Sequence, residues 1–371
     1  MSGTSMDGID ASLVDFSAKK PNVVASLYAP FSKTIVTKIR RLSNPSNLIS
    51  LEQLGQLDNQ LGHLYAQTIS NLLKSTPYSS QDIIAIGCHG QTMHHAPTIN
   101  HPFSLQIGNP NIIAEETGIT TITDFRRRDI AAGGQGAPLV PAFHKEFFSA
   151  PGENRVILNI GGIANITLLP KESRKKVSGF DTGPGNTLMD YWVQTHLHNP
   201  YDKNGNWADT GICQKELLEE MLNDPYFFIE PPKSTGKEYF SPGWLANLIA
   251  KKKYLPEDIQ ATLCHLTTQS ITKAIIKTDI TPDRLLVCGG GIHNHLLMKL
   301  LRKEFSCPVN STQEFGLHPD QVEAVAFAWL ARQTFNGLPG NMTDVTGACR
   351  SVILGGIYPG EKSSFPNKLK N

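Results

Sequence analysis

The chain has little charge and no long apolar run, and these shortages exclude several classes of protein. Of its 371 residues only 18% are charged, and the formal net charge is +1. Such a balanced chain has no field that would attract nucleic acid or an anionic membrane. No apolar run approaches the ~18 residues that span a membrane, and no secretory signal pattern opens the chain. The sequence therefore predicts a cytoplasmic protein with neither a nucleic-acid nor a membrane partner.

Cysteine is scarce and scattered. The six cysteines stand at positions 88, 213, 264, 288, 307 and 349, with no CxxC pair among them. In a chain of this length the pattern predicts buried free thiols in a reducing compartment. Four histidines lie close together, at positions 89, 94, 95 and 101. Without an HExxH spacing or a neighbouring carboxylate, they do not favour a metal site.

Complete nucleotide-binding motifs are also missing. The glycine-rich stretch 131–138 (AAGGQGAP) does not contain GxGxxG, so it does not predict a dinucleotide site. Gly236 and Lys237 resemble the end of a Walker A loop, but no glycine stands five positions earlier. If the protein binds a nucleotide, it does so through other glycine turns.

The most informative stretch is residues 179–186 (GFDTGPGN), which follows an apolar run and precedes a helix predicted over 187–197. The glycines allow a ligand to approach the backbone closely, because they have no Cβ. Asp181, placed at the end of a strand, can then act as a general base or as an electrostatic anchor. It can equally form an Asx turn that caps the next helix. These residues alone leave both interpretations open.

Two strand–turn–strand patterns lie half a chain apart. The first residues form a Gly/Ser/Thr-rich loop that leads into a period-2 alternation at 11–16, which predicts a turn between two strands of a hairpin. Its amides and hydroxyls can hold phosphate, and Asp7 or Asp10 can hold hydrated Mg²⁺. The strand that should lead into this loop is absent, which predicts an upstream start codon or a less well anchored loop. Residues 155–169 repeat the pattern, so we expect an internal duplication like that of the actin, hexokinase and Hsp70 ATPases.

Further candidates for ligand contacts follow predicted strands. Gln91 and Thr92 come after a buried strand and are placed to hydrogen-bond a polyhydroxylated ligand. One arginine of 126–128 is expected to bind a carboxylate or phosphate, and Arg128 is our candidate. The triple glycine 289–291 precedes a helix with Asn294 as its N-cap, an arrangement suited to adenosine. Glu323 begins the apolar helix predicted over 321–335, either as a dipole complement or directed at substrate.

Taken together, the motifs resemble those of the anhydro-N-acetylmuramic acid kinase family. The matching stretches cover nearly the whole chain in order: SGTSMDG (2–8), GQT (90–92), DFRRRDIAAGGQGAP (124–138), NIGGIAN (159–165), GFDTGPGN (179–186), PPKSTGKEY (231–239), VCGGG (287–291), LPGN (338–341) and VTGA (345–348). Several of these stretches are long and rare. The departure from the family pattern is the absent lead-in strand at the N-terminus.

The resemblance implies an α/β fold, namely the two-lobed actin-like sugar-kinase ATPase fold with duplicated ribonuclease H-like domains and an interlobe cleft. We expect one lobe to comprise residues 1–122 with 340–371, and the other residues 123–339. The implied enzyme of cell-wall recycling uses ATP and Mg²⁺. It opens the 1,6-anhydro bridge of 1,6-anhydro-N-acetylmuramic acid with water and phosphorylates O6, giving N-acetylmuramic acid 6-phosphate. Homodimers are usual in the family.

The predicted site combines the residue patterns with the resemblance. Asp181 is the predicted general base. The predicted substrate contacts are Gln91, Thr92, Arg128 and Glu323. The predicted ATP contacts are Gly3, Thr4, Ser5, Met6, Asp7, Gly8, Ile9, Asp10, Asn159, Gly161, Gly162, Gly183, Gly185, Asn186, Gly289, Gly290, Gly291 and Asn294, with Asp7 also the candidate for Mg²⁺. The alternatives are a sugar kinase that phosphorylates a plain hydroxyl without adding water, a nucleotide-switched actin-like scaffold, and a paralogue that binds without turnover.

Overall fold

A computed structural model describes residues 1–3, 6–18, 20–44, 47–172, 174–250 and 252–361. The predicted ATP contacts Thr4 and Ser5 lie outside the described residues. The chain forms two compact units, one of Met1–Phe143 with the chain from Glu323 onward, and one of His144–Val322. The predicted lobe boundaries, at 122/123 and 339/340, differ from this division and stay a prediction. Residues 122 and 123 are successive members of one strand, Thr121–Thr123.

Helices and strands are interspersed along the chain. The strands are β1 (Gly8–Asp15), β2 (Asn22–Pro30), β3 (Ile86–Gly87), β4 (Gln91–Ala96), β5 (Phe103–Ile107), β6 (Thr121–Thr123), β7 (Arg155–Ile160), β8 (Ile163–Leu169), β9 (Ser178–Pro184), β10 (Arg284–Cys288), β11 (Val309–Ser311) and β12 (Gly356–Tyr358). The helices are α1 (Lys33–Ser43), α2 (Leu51–Lys74), α3 (Pro110–Thr117), α4 (Arg127–Ala131), α5 (Val140–Phe148), α6 (Thr187–Leu197), α7 (Lys215–Leu222), α8 (Pro242–Ile249), α9 (Pro256–Ile276), α10 (His295–Glu304), α11 (Val322–Phe335) and α12 (Thr343–Thr346). The α/β prediction is confirmed, as is the helix predicted at 187–197.

The first unit contains three small sheets. Strands β1 and β2 form an antiparallel hairpin, β4 and β5 form another, and β12, β6 and β3 form a three-stranded sheet in that order. The core of this unit gathers around the apolar face of α2, where Leu57, Leu61 and Tyr65 are buried with Ile113 of α3. Ser50 caps α2 through its side chain, which accepts a hydrogen bond from the Gln53 amide.

The second unit is built on one five-stranded sheet in the order β11-β10-β7-β8-β9. Strands β11, β10 and β7 are parallel, whereas β7, β8 and β9 are antiparallel. The apolar run of β7 follows from its place in the sheet, since a strand covered on both faces needs no polar alternation. Helix α9 packs against β9 and is buried on most of its surface. A helix enclosed in this way needs no polar stripe.

The N-terminal loop differs from its prediction. The turn of the first hairpin lies between Asp15 and Asn22, whereas the Gly/Ser/Thr-rich loop precedes β1. Met1 instead exchanges two backbone hydrogen bonds with Asp10, at 2.7 and 2.8 Å. The second predicted hairpin, β7–β8, does turn at its glycine pair, Gly161 and Gly162. Thus only the second hairpin presents its small-residue loop as its own turn.

The cysteines are free thiols, as predicted, but they are not uniformly buried. Cys88, Cys264 and Cys288 are buried, Cys213 and Cys307 are half-buried, and Cys349 is exposed. The prediction of burial is therefore wrong for Cys349. Within the described part of the chain, no helix has both the length and the hydropathy that crossing a membrane requires.

Candidate active site

Asp181 lies at a β-bulge on the edge strand of the second unit's sheet. Asn165 of β8 pairs with Asp181 and Ala164 pairs with Gly183, so Thr182 is the extra residue between them. The next residue, Gly183, has φ +145°, a conformation that residues with a side chain rarely adopt. A bulge bends its strand and redirects the neighbouring side chains. Gly183, two positions after Asp181, is thus required by the local shape of the strand.

Three hydrogen bonds hold Asp181, two with the segment 231–235 and one from an aromatic side chain. The Thr235 amide donates to Asp181 Oδ2 at 3.0 Å, and the Asp181 amide donates to the Lys233 carbonyl at 3.2 Å. The Tyr226 hydroxyl donates to the Asp181 carbonyl at 2.7 Å. These contacts fix both the backbone and one carboxylate oxygen. They give the PPKSTGKEY motif (231–239) a structural role in holding Asp181.

Burial raises the pKa of Asp181 to about 6, and the hydrogen bond from the Thr235 amide opposes this only in part. Removal from water disfavours the charged form of a carboxylic acid. A carboxylate with a pKa near 6 is ionised at neutral pH, and it accepts a proton more readily than a carboxylate of ordinary pKa. Hence the environment of Asp181 suits a general base better than an Asx cap. Its Oδ2 accepts a hydrogen bond from the Thr235 amide, which lies far outside the turn that leads into α6.

The turn that follows Asp181 is docked on the glycine turn of the β7–β8 hairpin. The amides of Gly185 and Asn186 donate to the carbonyls of Gly162 and Gly161 at 2.9 and 2.8 Å. A Cβ at Gly185 would clash with the Gly161 carbonyl oxygen, so this close approach requires glycine. The Asn186 side chain donates to the Ile160 carbonyl at 3.2 Å. These two amides are thereby used in packing rather than offered to a phosphate.

The triple glycine joins the same cluster. A Cβ at Gly289 would clash with the Asn159 side chain, and one at Gly291 would clash with Ile160. At Gly290, by contrast, a Cβ would meet nothing within 4 Å. Asn294 caps α10 as predicted, with its Oδ1 accepting from the Leu297 amide at 3.0 Å. The second unit thus brings together its predicted ATP contacts: Asn159, Gly161, Gly162, Gly183, Gly185, Asn186, Gly289, Gly290, Gly291 and Asn294.

In the first unit, the N-terminal residues meet the strand that begins at Gln91. The Gln91 side chain is 1% exposed, and its Nε2 donates to the Gly3 carbonyl at 3.3 Å. Its Oε1 is buried with no hydrogen-bond partner among the described residues. A buried acceptor without a partner costs about 1–3 kcal/mol, so it is expected to bind a donor from a ligand or water. Thr92 accepts from Gln106 Nε2 at 3.2 Å.

The predicted ATP contacts from Met6 to Asp10 differ in their exposure to solvent. Met6, Gly8 and Ile9 are buried, Asp10 is half-buried, and Asp7 is exposed. Both aspartates lie close enough to Tyr28 to help burial raise its pKa to about 12. The described residues contain no cluster of three or more potential metal ligands. A Mg²⁺ ion needs only one or two carboxylates when a nucleotide supplies the remaining oxygens.

The three neighbouring arginines have different surroundings. Arg126 donates through Nε and Nη2 to His89 Nε2 at 3.2 and 2.9 Å, and through Nη1 to the Gly136 carbonyl at 2.8 Å. Burial lowers the pKa of Arg126 to about 10, with Glu323 opposing the shift. Arg127 forms an ion pair with Asp124, and Arg128 is exposed. The first unit therefore brings Arg126, rather than Arg128, close to Glu323.

A match to a family model and similar sequences decide the family. The model for anhydro-N-acetylmuramic acid kinase matches residues 1–360. A protein of that name from Pasteurella multocida (strain Pm70) is 50% identical over 366 residues, 98% of this chain and 96% of its own length. One from Coxiella burnetii (strain Dugway 5J108-111) is 48% identical over 368 residues, 98% of each chain. The chain belongs to the anhydro-N-acetylmuramic acid kinase family.

Membership confirms the predicted family and the kinase class. It also removes the scaffold alternative, which assumed that no small molecule is modified.

Among solved structures, the activator of a 2-hydroxyisocaproyl-CoA dehydratase from Clostridium difficile has a TM-score of 0.41 at 12% identity, covering 85% of this chain and 90% of its own. A ROK family glucokinase from Streptomyces griseus has a TM-score of 0.39 at 12% identity, covering 88% and 97%. Likenesses of this size carry no functional information.

Inspection of the sequence did not find several residues that organise the site in this family member. Tyr226 and Thr235 contact Asp181 from 45 and 54 positions away, a separation that no local pattern reveals. Asp129 is fully buried and accepts hydrogen bonds from the Gly136 amide, Asn341 Nδ2 and Thr346 Oγ1 at 2.7–2.8 Å. It therefore links the motifs at 124–138, 338–341 and 345–348. The signal for this link that the sequence offered was that all three motifs belong to the pattern of one family.

Proposed function

We propose that this chain is the kinase that phosphorylates O6 of 1,6-anhydro-N-acetylmuramic acid while water opens the 1,6-anhydro bridge. The product is N-acetylmuramic acid 6-phosphate, an intermediate of peptidoglycan recycling. The observation that carries the proposal is Asp181, a carboxylate of raised pKa that is held at three points beside a cluster of glycine turns. A coupled hydrolysis and phosphorylation needs one base for the water, and this residue provides it.

In the proposed reaction, Asp181 accepts a proton from a water molecule as that water attacks the anomeric carbon. The bond between the anomeric carbon and O6 breaks, and the electron pair remains on O6. O6 attacks the γ-phosphorus of ATP, and ADP leaves. No separate acid is needed for O6, because the phosphoryl group captures it. General-base assistance of this kind contributes about 10²–10⁴-fold to the rate. Asp181 then releases its proton to solvent.

The residues of each unit, taken separately, suit ATP and Mg²⁺. The open space beside Gly290, between two glycines that cannot carry side chains, leaves the backbone accessible to an adenosine. Asp7 and Asp10 offer the carboxylate oxygens that Mg²⁺ prefers. The ion supplies charge stabilisation to the transferring phosphoryl group when it is bound. The predicted contacts from Gly3 to Asp10 are proposed to serve the nucleotide phosphates.

For the sugar, we assign the polar groups of the first unit. Gln91 Oε1 lacks a partner among the described residues and would accept a hydrogen bond from a sugar hydroxyl or from the N-acetyl N–H. Arg126 replaces Arg128 as the proposed partner of the lactyl carboxylate, since its buried guanidinium would be stabilised by an anion. Thr92 and Glu323 remain proposed contacts. We also infer from the family resemblance that the protein is cytoplasmic and forms a homodimer. Light scattering of the purified protein would test the homodimer.

The deciding experiment is mass spectrometry of the sugar after incubation with the protein, ATP and Mg²⁺ in ¹⁸O-water. We expect a product heavier than the substrate by one phosphate and one labelled water. A product that gains phosphate without water would instead establish the alternative, a kinase acting on a plain hydroxyl. Absence of any phosphorylated product, with the protein folded and ATP bound, would refute both.

A further inference from the structure

A cavity lies in the second unit beside β9, and no role proposed above uses it. Its volume is about 300 Å³, near the lower limit for sites that bind small organic ligands. Phe180 and Thr182 line it, whereas Asp181 between them does not. The remaining wall comes from α9, from the 3-10 turn Pro225–Phe228 and from the segment that follows this turn.

The cavity has an excess of positive charge. Its lining includes three lysines, the half-buried Lys233 and the exposed Lys273 and Lys277, and one carboxylate, the exposed Glu230. Lys277 Nζ donates to the Phe227 carbonyl at 3.1 Å, and Lys233 Nζ donates to the Tyr226 carbonyl at 3.3 Å. Both acceptors are neutral, so these contacts do not cancel the charge. Burial and the nearby Lys277 lower the pKa of Lys233, which indicates mutual repulsion of the ammonium groups.

The rest of the lining is largely apolar and aromatic. Phe180, Phe227 and Phe228 face the cavity together with aliphatic side chains, and the hydroxyl groups of Thr182, Ser270 and Thr278 lie among them. An apolar body would bury its surface against the rings, while an anionic group would meet the lysines. A free inorganic ion would use only the second of these features. The lining therefore matches an organic anion that carries an apolar ring.

The same segment that lines the cavity also holds Asp181. The side chain of Lys233 borders the cavity, while its carbonyl accepts from the Asp181 amide and the Thr235 amide two residues later donates to the carboxylate. Tyr226, whose hydroxyl binds the Asp181 carbonyl, belongs to the turn that forms another wall. A ligand that moved either wall would therefore move a hydrogen-bond partner of Asp181.

We propose that this cavity binds a small organic anion with an apolar ring, and that its occupancy is transmitted to Asp181 through residues 233–235. The proposed effect on Asp181 rests on the proposed function, in which Asp181 is the base. The proposed binding of an anion in the cavity does not. None of the glycines assigned to ATP lines the cavity, although Gly183 lies against Phe227 and Ser270 of its wall. It would allow a metabolite to adjust turnover without occupying the positions proposed for the nucleotide or the sugar.

Binding is tested with a fluorescent probe, 8-anilinonaphthalene-1-sulfonate, and its uncharged counterpart N-phenyl-1-naphthylamine. The double variant Lys273→Gln with Lys277→Gln should weaken the sulfonate by about tenfold or more and leave the neutral probe within about twofold. The control is Lys299→Gln with Lys303→Gln, two exposed lysines of α10, which should change neither. Equal sulfonate affinity in the double variant, or equal loss of both probes, would overturn the proposal. Circular dichroism verifies that both variants fold.

Transmission is tested by the initial rate of sugar phosphorylation between pH 5 and 8, with and without the sulfonate at saturation. In the unmodified protein the acid limb of kcat should shift when the probe is bound, and in the lysine double variant it should not. If the acid limb of the kcat–pH profile is unchanged while the probe is shown to be bound, transmission from the cavity to Asp181 is refuted. If Asp181→Asn retains turnover, the limb belongs to another group and the role of Asp181 fails, while the binding result still stands by itself.

Discussion

Replacing Asp181 by asparagine should make the folded protein more stable above pH 6 while it abolishes turnover. The native environment raises the pKa of this carboxyl from 3.8 to about 6. A shift of this size corresponds to about 3 kcal/mol between the two protonation states. Because the side chain is in part exposed, solvent screening reduces the expected effect to about 1–2 kcal/mol. Asparagine is uncharged, and its oxygen can still accept from the Thr235 amide.

The sign of this effect depends on pH. Since the pKa in the folded state lies above that in the unfolded state, folding takes up a proton between about pH 4 and pH 6. The protonated carboxyl is tolerated in the fold, and stability falls as pH rises through 6. The asparagine variant does not suffer this loss. Its advantage should therefore be full above pH 6 and should vanish below about pH 4, where the carboxyl is protonated in both states.

The assay is guanidinium unfolding of the ligand-free protein at pH 7.5 and at pH 4, followed by far-UV circular dichroism. Asp209→Asn, at an exposed position, is the matched control and should change stability at neither pH. The same preparation of Asp181→Asn should lose about 10²–10⁴-fold in kcat and still bind ATP. The reasoning that Asp181 is buried with an unfavourable charge would be refuted by either of two results: Asp181→Asn is less stable than the unmodified protein at pH 7.5, or it is stabilised equally at both pH values.

Four further predictions concern the same structure. The kcat of the unmodified protein should fall below about pH 6, since protonated Asp181 cannot act as base, and a limb near pH 4 would contradict this. Arg126→Gln should raise KM for the sugar about tenfold with KM for ATP unchanged, whereas Arg128→Gln should alter neither, as steady-state kinetics will establish. Tyr226→Phe removes one buried hydrogen bond and should lower kcat about fivefold at constant KM for ATP; an unchanged kcat would show that this bond does not position Asp181. Asp129→Ala leaves three donors without their acceptor and should lower the free energy of unfolding by about 3 kcal/mol, measured in guanidinium, whereas a loss below about 1 kcal/mol would argue against its linking role.

Local features were predictable where a short stretch of chain decides them. The helix at 187–197 and the cap at Asn294 depend on neighbours within a few residues. The glycine turn of the β7–β8 hairpin is likewise a property of adjacent residues. The N-terminal loop was placed wrongly within its hairpin, because composition marks a turn without naming the strands that the turn connects. Here Met1 reaches Asp10 by backbone hydrogen bonds, which leave no trace in side-chain pattern.

By itself the sequence determined the family, the kinase class and the position of the carboxylate in its glycine-rich turn, since these lie in contiguous motifs. Only the tertiary structure distinguished Arg126 from Arg128, because identical side chains two positions apart differ in their burial and in the groups that surround them. Burial in the tertiary structure also raised the pKa of Asp181, while the Thr235 amide, 54 positions away, opposes that shift and the Tyr226 hydroxyl, 45 positions away, holds the Asp181 backbone. Desolvation and hydrogen bonding depend on which atoms surround a group in space, and folding brings those atoms together from distant parts of the chain.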